Sequence, residues 1–168
     1  MIDTPLLLNV PPVLWKGFRS ALMGARAGSE EVIGFLFCRR HQLSDGTVRL
    51  LPVSWVVPTH DCYKSQNLAG LELRQEFHLY MLRKFVKRGL DIVHIHTHPS
   101  QTRPAFSSID DRYEQQYSHF LTRFRQRPLF VSGVFDQLVQ KGRFRMWRGD
   151  RAAAADTVHF SADWIPVP

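Results

Sequence analysis

Cysteine is scarce in this sequence, which has only two such residues, Cys38 and Cys62, among 168. Two cysteines are too few for a disulfide framework, so a reducing, cytoplasmic location is the simpler expectation. No segment approaches the roughly 20 consecutive apolar residues that a membrane-spanning helix needs. The first residues include Asp3 and lack the basic segment of a secretory signal. These absences argue against a disulfide-stabilised secreted protein and against a helical membrane protein.

The composition is that of one compact domain, which we expect to occupy residues 1–168. Hydrophobic residues make up 44% and charged residues 22%, close to the average for globular proteins. The 22 lysines and arginines exceed the 15 acidic residues and give a formal charge of +7. Such an excess attracts acidic partners. The sequence contains no zinc finger, helix-turn-helix or aromatic RNA-binding pair, so nucleic acid is not the predicted partner.

The spacing of apolar residues predicts an alternation of helices and strands. Helical spacing is found in three segments, residues 11–23, 70–88 and 107–125, and Ser107 or Ser108 can cap the third helix. Extended segments are predicted at residues 32–38, 47–57, 90–96, 129–134 and 142–147, the first two forming a hairpin. This order predicts an α/β or α+β sandwich, in which a single mixed β-sheet is flanked by helices.

Three histidines alternate with other residues at the end of a predicted strand: His94, His96 and His98. Residues two apart on a strand point to the same face, so a pair such as His96 and His98 can converge on one point. Zinc binds imidazole nitrogens and carboxylate oxygens, and a catalytic zinc site keeps one position for water. A loop containing two prolines leads from these histidines to a helix start, where Asp110 or Asp111 can supply the carboxylate.

Two separated parts of the chain together resemble the JAB/MPN (JAMM) zinc metalloproteases. His96-Thr97-His98-Pro99, followed by Ser107-Ser108-Ile109-Asp110, is similar to the family's His-x-His-Pro and Ser-x-x-Asp motifs, and its details are close to the AMSH-type deubiquitinases. The family also has a Glu-x-x-Gly motif on an early strand, which Glu31-Val32-Ile33-Gly34 matches. The resemblance implies the MPN fold, a cytidine-deaminase-like sandwich.

The resemblance also implies a role for each matching residue. One zinc ion per chain, carrying a catalytic water, would be held by His96, His98 and Asp110. Glu31 would accept a proton from that water and pass it to the leaving amine, and Ser107 would hydrogen-bond the oxyanion. His94 is expected to be a packing residue beside the ligands. No covalent intermediate and no cysteine nucleophile are required.

The spacing departs from the family pattern in one respect. Eleven residues separate His98 from Asp110, one more than is usual in the family. An extra residue at Arg103 or Pro104 can bulge from the loop without moving its ends. It also permits a second register, in which Ser108 and Asp111 form the Ser-x-x-Asp motif. We favour Ser107 and Asp110, which lie nearer the family spacing.

The implied substrate is a ubiquitin-like protein, cleaved at or after its C-terminus during precursor processing or deconjugation. The chain is most similar to stand-alone prokaryotic JAB proteins, which accompany activating-enzyme-like and conjugating-enzyme-like proteins in bacterial ubiquitin-like or antiphage systems. Three alternatives are kept. They are a peptidase for a sulfur-carrier protein, an inactive MPN binding module, and a RadC-like domain, which usually has asparagine where Thr97 stands.

Overall fold

The computed structural model describes residues 5–26, 30–67, 70–99, 103–148, 151–152 and 158–162. Three α-helices lie among these residues: α1 (Pro12–Gly24), α2 (Gln75–Lys84) and α3 (Ser108–Leu121). The first five strands are β1 (Leu6–Asn9), β2 (Ile33–Gln42), β3 (Val48–Val56), β4 (Tyr63–Asn67) and β5 (Gly70–Leu73). The others are β6 (Asp91–Thr97), β7 (Phe130–Phe135), β8 (Gly142–Arg148), β9 (Arg151–Ala152) and β10 (Val158–Ser161). Short 3-10 helices span His60–Cys62 and Val86–Arg88.

Eight of the described strands form one mixed sheet in the order β10-β1-β3-β2-β6-β7-β8-β9. Strands β2 and β6 are antiparallel neighbours at its centre, while β6 and β7 run parallel. Strand β6 is buried along its whole length, although four of its seven residues, Asp91, His94, His96 and Thr97, are polar. The fold is therefore a mixed α/β arrangement built on a large sheet, in agreement with the coarse architecture expected from the sequence.

Two apolar clusters cover the two faces of this sheet. Helix α1 packs on one face, where Phe18 and Leu22 join the cluster that includes Leu36 and Val93. Helices α2 and α3 pack on the other face, where their apolar side chains meet a second cluster. Successive strand residues alternate between the two faces, so His94 and His96 of β6 lie on the face covered by α2 and α3.

The predicted helix over residues 70–88 was wrong at its start. Residues 70–73 form strand β5, which pairs with β4 as a separate two-stranded sheet next to the large one. Leu73 is buried and Glu72 is exposed, which is the alternation of a strand and not of a helix. The helix itself begins at Gln75, after Arg74 donates its backbone N–H to the Cys62 carbonyl. The strands at either end of the chain, β1 and β10, were not predicted.

Within the described part of the chain, no helix combines the length and apolar character that crossing a membrane requires.

Candidate metal centre

Strand β6 places three histidines on one buried face. His96 is opposite Ile33 of β2, and His94 is opposite Phe35, so the alternating register continues to His98 just beyond the strand. Their exposed fractions are 6% for His94, 3% for His96 and 5% for His98. The backbone N–H of His98 donates to the Phe135 carbonyl of β7, which fixes the end of the strand. The histidine rings therefore have little freedom to move.

Helix α3 brings Asp110 to these histidines through its N-terminal cap. The N-cap residue is Ser107, whose backbone N–H and hydroxyl both donate to Asp110 Oδ2, at 2.6 and 2.7 Å. In return, the Asp110 N–H donates to Ser107 Oγ at 3.2 Å. This reciprocal arrangement is a capping box, which satisfies donors that a helix start would otherwise leave unpaired. The Ser-x-x-Asp motif thus orients the Asp110 carboxylate at the helix start.

The resulting distances suit a metal ion. His96 Nε2 lies 3.3 Å from Asp110 Oδ1, and His98 Nε2 lies 3.6 Å from Asp110 Oδ2. Two atoms that each bind one tetrahedral zinc ion at about 2.0 to 2.2 Å are about 3.3 to 3.6 Å apart. Asp110 therefore has ligand-like spacing to each histidine, and the possible ligand atoms of all three side chains lie within 4.8 Å of one another.

The hydrogen bonding of the imidazoles is also consistent with metal binding. Among the described residues, the buried Nε2 of His96, which is the nitrogen that faces Asp110, has no hydrogen-bond partner. A buried polar atom that lacks a partner is costly and calls for an explanation, such as a bound ion. Two imidazoles and one carboxylate are a donor set that zinc uses. His96, His98 and Asp110 could therefore hold a metal ion.

The charge state of Asp110 also favours binding of a cation. Burial alone would raise the pKa of Asp110. The close contact of His96 with the carboxylate, together with the hydrogen bonds from Ser107, outweighs burial and lowers this pKa below its usual range. Asp110 is therefore ionised at neutral pH.

Glu31 lies at the edge of the same group, immediately before β2. Its Oε1 is 3.7 Å from His98 Nε2, and 18% of its side chain is exposed. Its backbone carbonyl accepts a hydrogen bond from Gln66 of β4 at 2.8 Å. Burial raises the pKa of the Glu31 carboxyl, the nearby histidines partly oppose this, and Asp110 adds to the increase. Glu31 is thus a carboxylate within reach of the candidate metal position, with an increased affinity for protons.

The two aspartates at the start of α3 point to different partners. Asp110 faces the histidines, whereas Asp111 pairs with Arg145 of β8 and has 60% of its side chain exposed. Of the two registers considered from the sequence, only the one with Ser107 and Asp110 has its carboxylate beside His96 and His98 in this structure.

A second group of possible ligands, His94, His96 and Glu114, lies behind the first. The oxygens of Glu114 already accept hydrogen bonds from Ser132, Arg145 and Trp147, at 2.6, 2.7 and 2.7 Å. Burial lowers the pKa of His94 well below its usual value, so its ring is neutral. We therefore assign Glu114 and His94 to the packing behind the metal position.

A small cavity of about 110 Å³ opens onto Glu31, His96, His98, Ser107 and Asp110. All five site residues predicted from the sequence are thus brought to one place. Their chemical roles stay predictions.

Tyr113 and Glu114 were missed by the sequence reasoning. They lie one helical turn after Asp110, and that spacing could have indicated that they share its side of the helix. Tyr113 lines both the small cavity and an adjoining groove of about 650 Å³ between β5, α2 and α3. Its hydroxyl is 3.3 Å from Nε2 of His78, a residue whose pKa burial lowers to about 4.

Comparison with known proteins assigns no family, because no protein-family model matches the chain and no curated protein is similar to it.

Proposed function

We propose that this protein is a zinc-dependent isopeptidase or peptidase that cleaves at or after the C-terminus of a ubiquitin-like protein. The observation that carries the proposal is the meeting of His96, His98 and Asp110 with a second carboxylate, Glu31, around one cavity. The motif resemblance and this geometry concern the same residues. The fold that we propose for the described architecture is that of the JAB/MPN family.

Zinc held by His96, His98 and Asp110 would supply Lewis acidity, which makes a water molecule more acidic and a peptide carbonyl more electrophilic. Glu31 then has the chemistry of a general base, because its carboxylate is close to the candidate metal position and burial increases its proton affinity. The same group returns the proton to the leaving amine. Hydrolysis needs no covalent intermediate.

Ser107 has two tasks in this scheme. As the N-cap of α3 it holds the Asp110 carboxylate in place. Its hydroxyl also lines the cavity, and its single proton can turn from Asp110 Oδ2 to the oxyanion that forms from the scissile carbonyl, while the Ser107 backbone N–H keeps its hydrogen bond to Asp110.

The shape of the site favours a substrate with small residues at the cleavage point. The cavity at the candidate metal position measures only about 110 Å³ and has Ile33, Leu71 and Ile109 in its walls. Such a space favours residues without a side chain, such as the terminal glycines of ubiquitin-like proteins. The groove beyond Tyr113 is large enough for the preceding residues of an extended peptide. Activating-enzyme-like and conjugating-enzyme-like proteins are the further partners that such a system implies.

The proposal can be tested with a panel of ubiquitin-like proteins. Each carries either a peptide extension after its C-terminal glycine or an isopeptide bond to a lysine peptide, and intact mass spectrometry follows cleavage. We expect cleavage after the terminal glycine of at least one member, loss of activity with a chelator, and recovery with added zinc. Equal cleavage of a free peptide with the same tail would contradict recognition of the folded modifier. Zinc-loaded protein that cleaves nothing in the panel would contradict the proposal as a whole.

A further inference from the structure

A second cavity lies at the opposite end of the sheet from the candidate metal centre. Strand β6 separates the two, since it begins at Asp91 beside this cavity and ends at Thr97, about 20 Å away at 3.3 Å per residue. The cavity measures about 480 Å³ and is lined by three arginines, Arg40, Arg127 and Arg148. We call it the basic cavity. Its apolar walls are formed by Val48, Pro128 and Leu129.

The wall of the basic cavity contains more positive than negative charge. The fully buried carboxylate of Asp91 binds Arg40 through both of its oxygens, at 2.6 and 2.7 Å. It also accepts hydrogen bonds from Arg125 at 2.7 Å and from the Leu129 N–H at 3.0 Å. One carboxylate therefore serves two guanidinium groups, whose side chains are only 30% and 24% exposed. Asp91, Arg40 and Arg125 together therefore carry a net charge of +1, and this charge is partly desolvated.

Arg127 and Arg148 add two further charges. Neither forms an ion pair with any residue that the structure describes, and no acidic side chain from those residues lines the cavity. Arg127 has a φ of 50°, a left-handed conformation that is uncommon for a residue with a side chain. Its carbonyl accepts a hydrogen bond from Arg40 at 3.1 Å, which holds this conformation. Counted over the described residues, positive charges exceed negative charges by three, since four arginines (Arg40, Arg125, Arg127 and Arg148) stand against one carboxylate, Asp91.

We propose that the basic cavity binds a phosphate-bearing ligand of nucleotide size. A single carboxylate would neutralise one of the three charges, whereas a phosphomonoester carries about −1.5 to −2 and an oligophosphate more. The planar guanidinium groups of Arg127 and Arg148 suit phosphate oxygens, and Arg40 can add its Nη1 group, since its Nε and Nη2 atoms bind Asp91 and the Arg127 carbonyl. A volume of about 480 Å³ lies within the range of small-molecule sites, and the apolar walls suit a base or another flat group. This inference does not depend on the proposed peptidase activity.

Calorimetric titration of the full chain with ADP, with pyrophosphate and with a short single-stranded oligothymidylate tests the proposal. Arg127→Gln/Arg148→Gln removes two charges from the cavity. Arg143→Gln removes the same type of charge at the other end of β8 and is the matched control. His98→Ala is included because phosphates can also bind a metal centre.

We expect ADP and pyrophosphate to bind the wild type, the control and His98→Ala with similar affinity. The double variant should weaken binding by about 100-fold, since a hydrogen bond to a charged group is worth about tenfold or more. Unchanged binding in the double variant, or loss of binding in His98→Ala, would overturn the proposal. It would also be overturned if the oligothymidylate bound more tightly than ADP and kept its affinity in the double variant, because the charge would then serve a nucleic-acid surface.

Discussion

Replacing Arg145 by methionine should destabilise the fold behind the candidate metal centre. Arg145 Nε donates to Glu114 Oε2 at 2.7 Å, and the two side chains are only 10% and 1% exposed. Its guanidinium group also lies 3.8 Å above the ring of Phe106, in the loop that leads to α3. Methionine keeps an apolar chain of similar length but leaves the buried carboxylate of Glu114 without its counter-charge.

The expected cost follows from the burial of this pair. Removing one partner of a buried ion pair costs about 3 to 5 kcal/mol, because the remaining charge is neither solvated nor paired. For a chain of this length, each kcal/mol lowers Tm by about 2 to 4 °C. We therefore expect Arg145→Met to lower Tm by about 6 to 20 °C. The measurement is thermal unfolding followed by circular dichroism, with a chelator present so that metal binding does not add stability.

A second substitution separates the charge effect from lost packing. In Arg145→Met/Glu114→Gln the buried charge is gone. The amide oxygen can accept from Trp147 and the amide nitrogen can donate to Ser132, which are two of the three groups that now contact Glu114. We expect the double variant to be at least about 2 kcal/mol more stable than Arg145→Met alone. If the double variant were equally or less stable, the unpaired carboxylate would not be the cause, and the reasoning would be refuted.

Three further predictions concern the motif residues. Gly34→Ala should lower Tm by about 2 to 12 °C, because a Cβ there would lie 2.5 Å from the buried ring of Phe18, and overpacking costs about 1 to 3 kcal/mol. Ser107→Ala should reduce kcat by about 10² to 10³ through loss of the oxyanion donor while zinc content stays stoichiometric. Glu31→Gln should reduce hydrolysis by about 10² to 10⁴ or more without loss of zinc or fold, and should trap bound substrate.

Each of these predictions has a control or a contradicting result. Gly24→Ala is the control for Gly34, since a Cβ at position 24 would meet nothing within 4 Å, and its Tm should not fall. Loss of zinc in Ser107→Ala would contradict this expectation and would mean that the Ser107 hydroxyl is needed to hold the Asp110 carboxylate. Near wild-type cleavage by Glu31→Gln, together with inactivity of Glu30→Gln, would identify Glu30 and not Glu31 as the general base.

Two parts of the candidate site could be anticipated from the sequence because they follow short-range rules. Alternation along one strand places His96 and His98 together, and the Ser107 cap orients Asp110 three residues later. Glu31 comes from a distant segment, and its position could be anticipated only from the family pattern. Antiparallel pairing of β2 with β6 then brings it to His98.

Features that depend on tertiary context could not be predicted in the same way. Residues 70–73 contain apolar residues that fit a helix as well as a strand, and pairing with β4 decides between them. The interactions of Arg145 with Glu114 connect β8 to α3 across 31 positions, and no local pattern marks either residue as a partner. The ion pairs of Asp91 with Arg40 and Arg125 could not be predicted from the sequence for the same reason.

The central claim is that His96, His98 and Asp110 form a zinc site. Its most direct test is elemental analysis of protein purified without added metal, comparing the wild type with Asp110→Ala and Asp111→Ala. We predict about one zinc per chain in the wild type and in Asp111→Ala, and little in Asp110→Ala, because Asp111 pairs with Arg145 and not with the histidines. A wild type without zinc even after reconstitution would contradict the account, and zinc lost from Asp111→Ala but kept in Asp110→Ala would contradict the assignment of the carboxylate ligand.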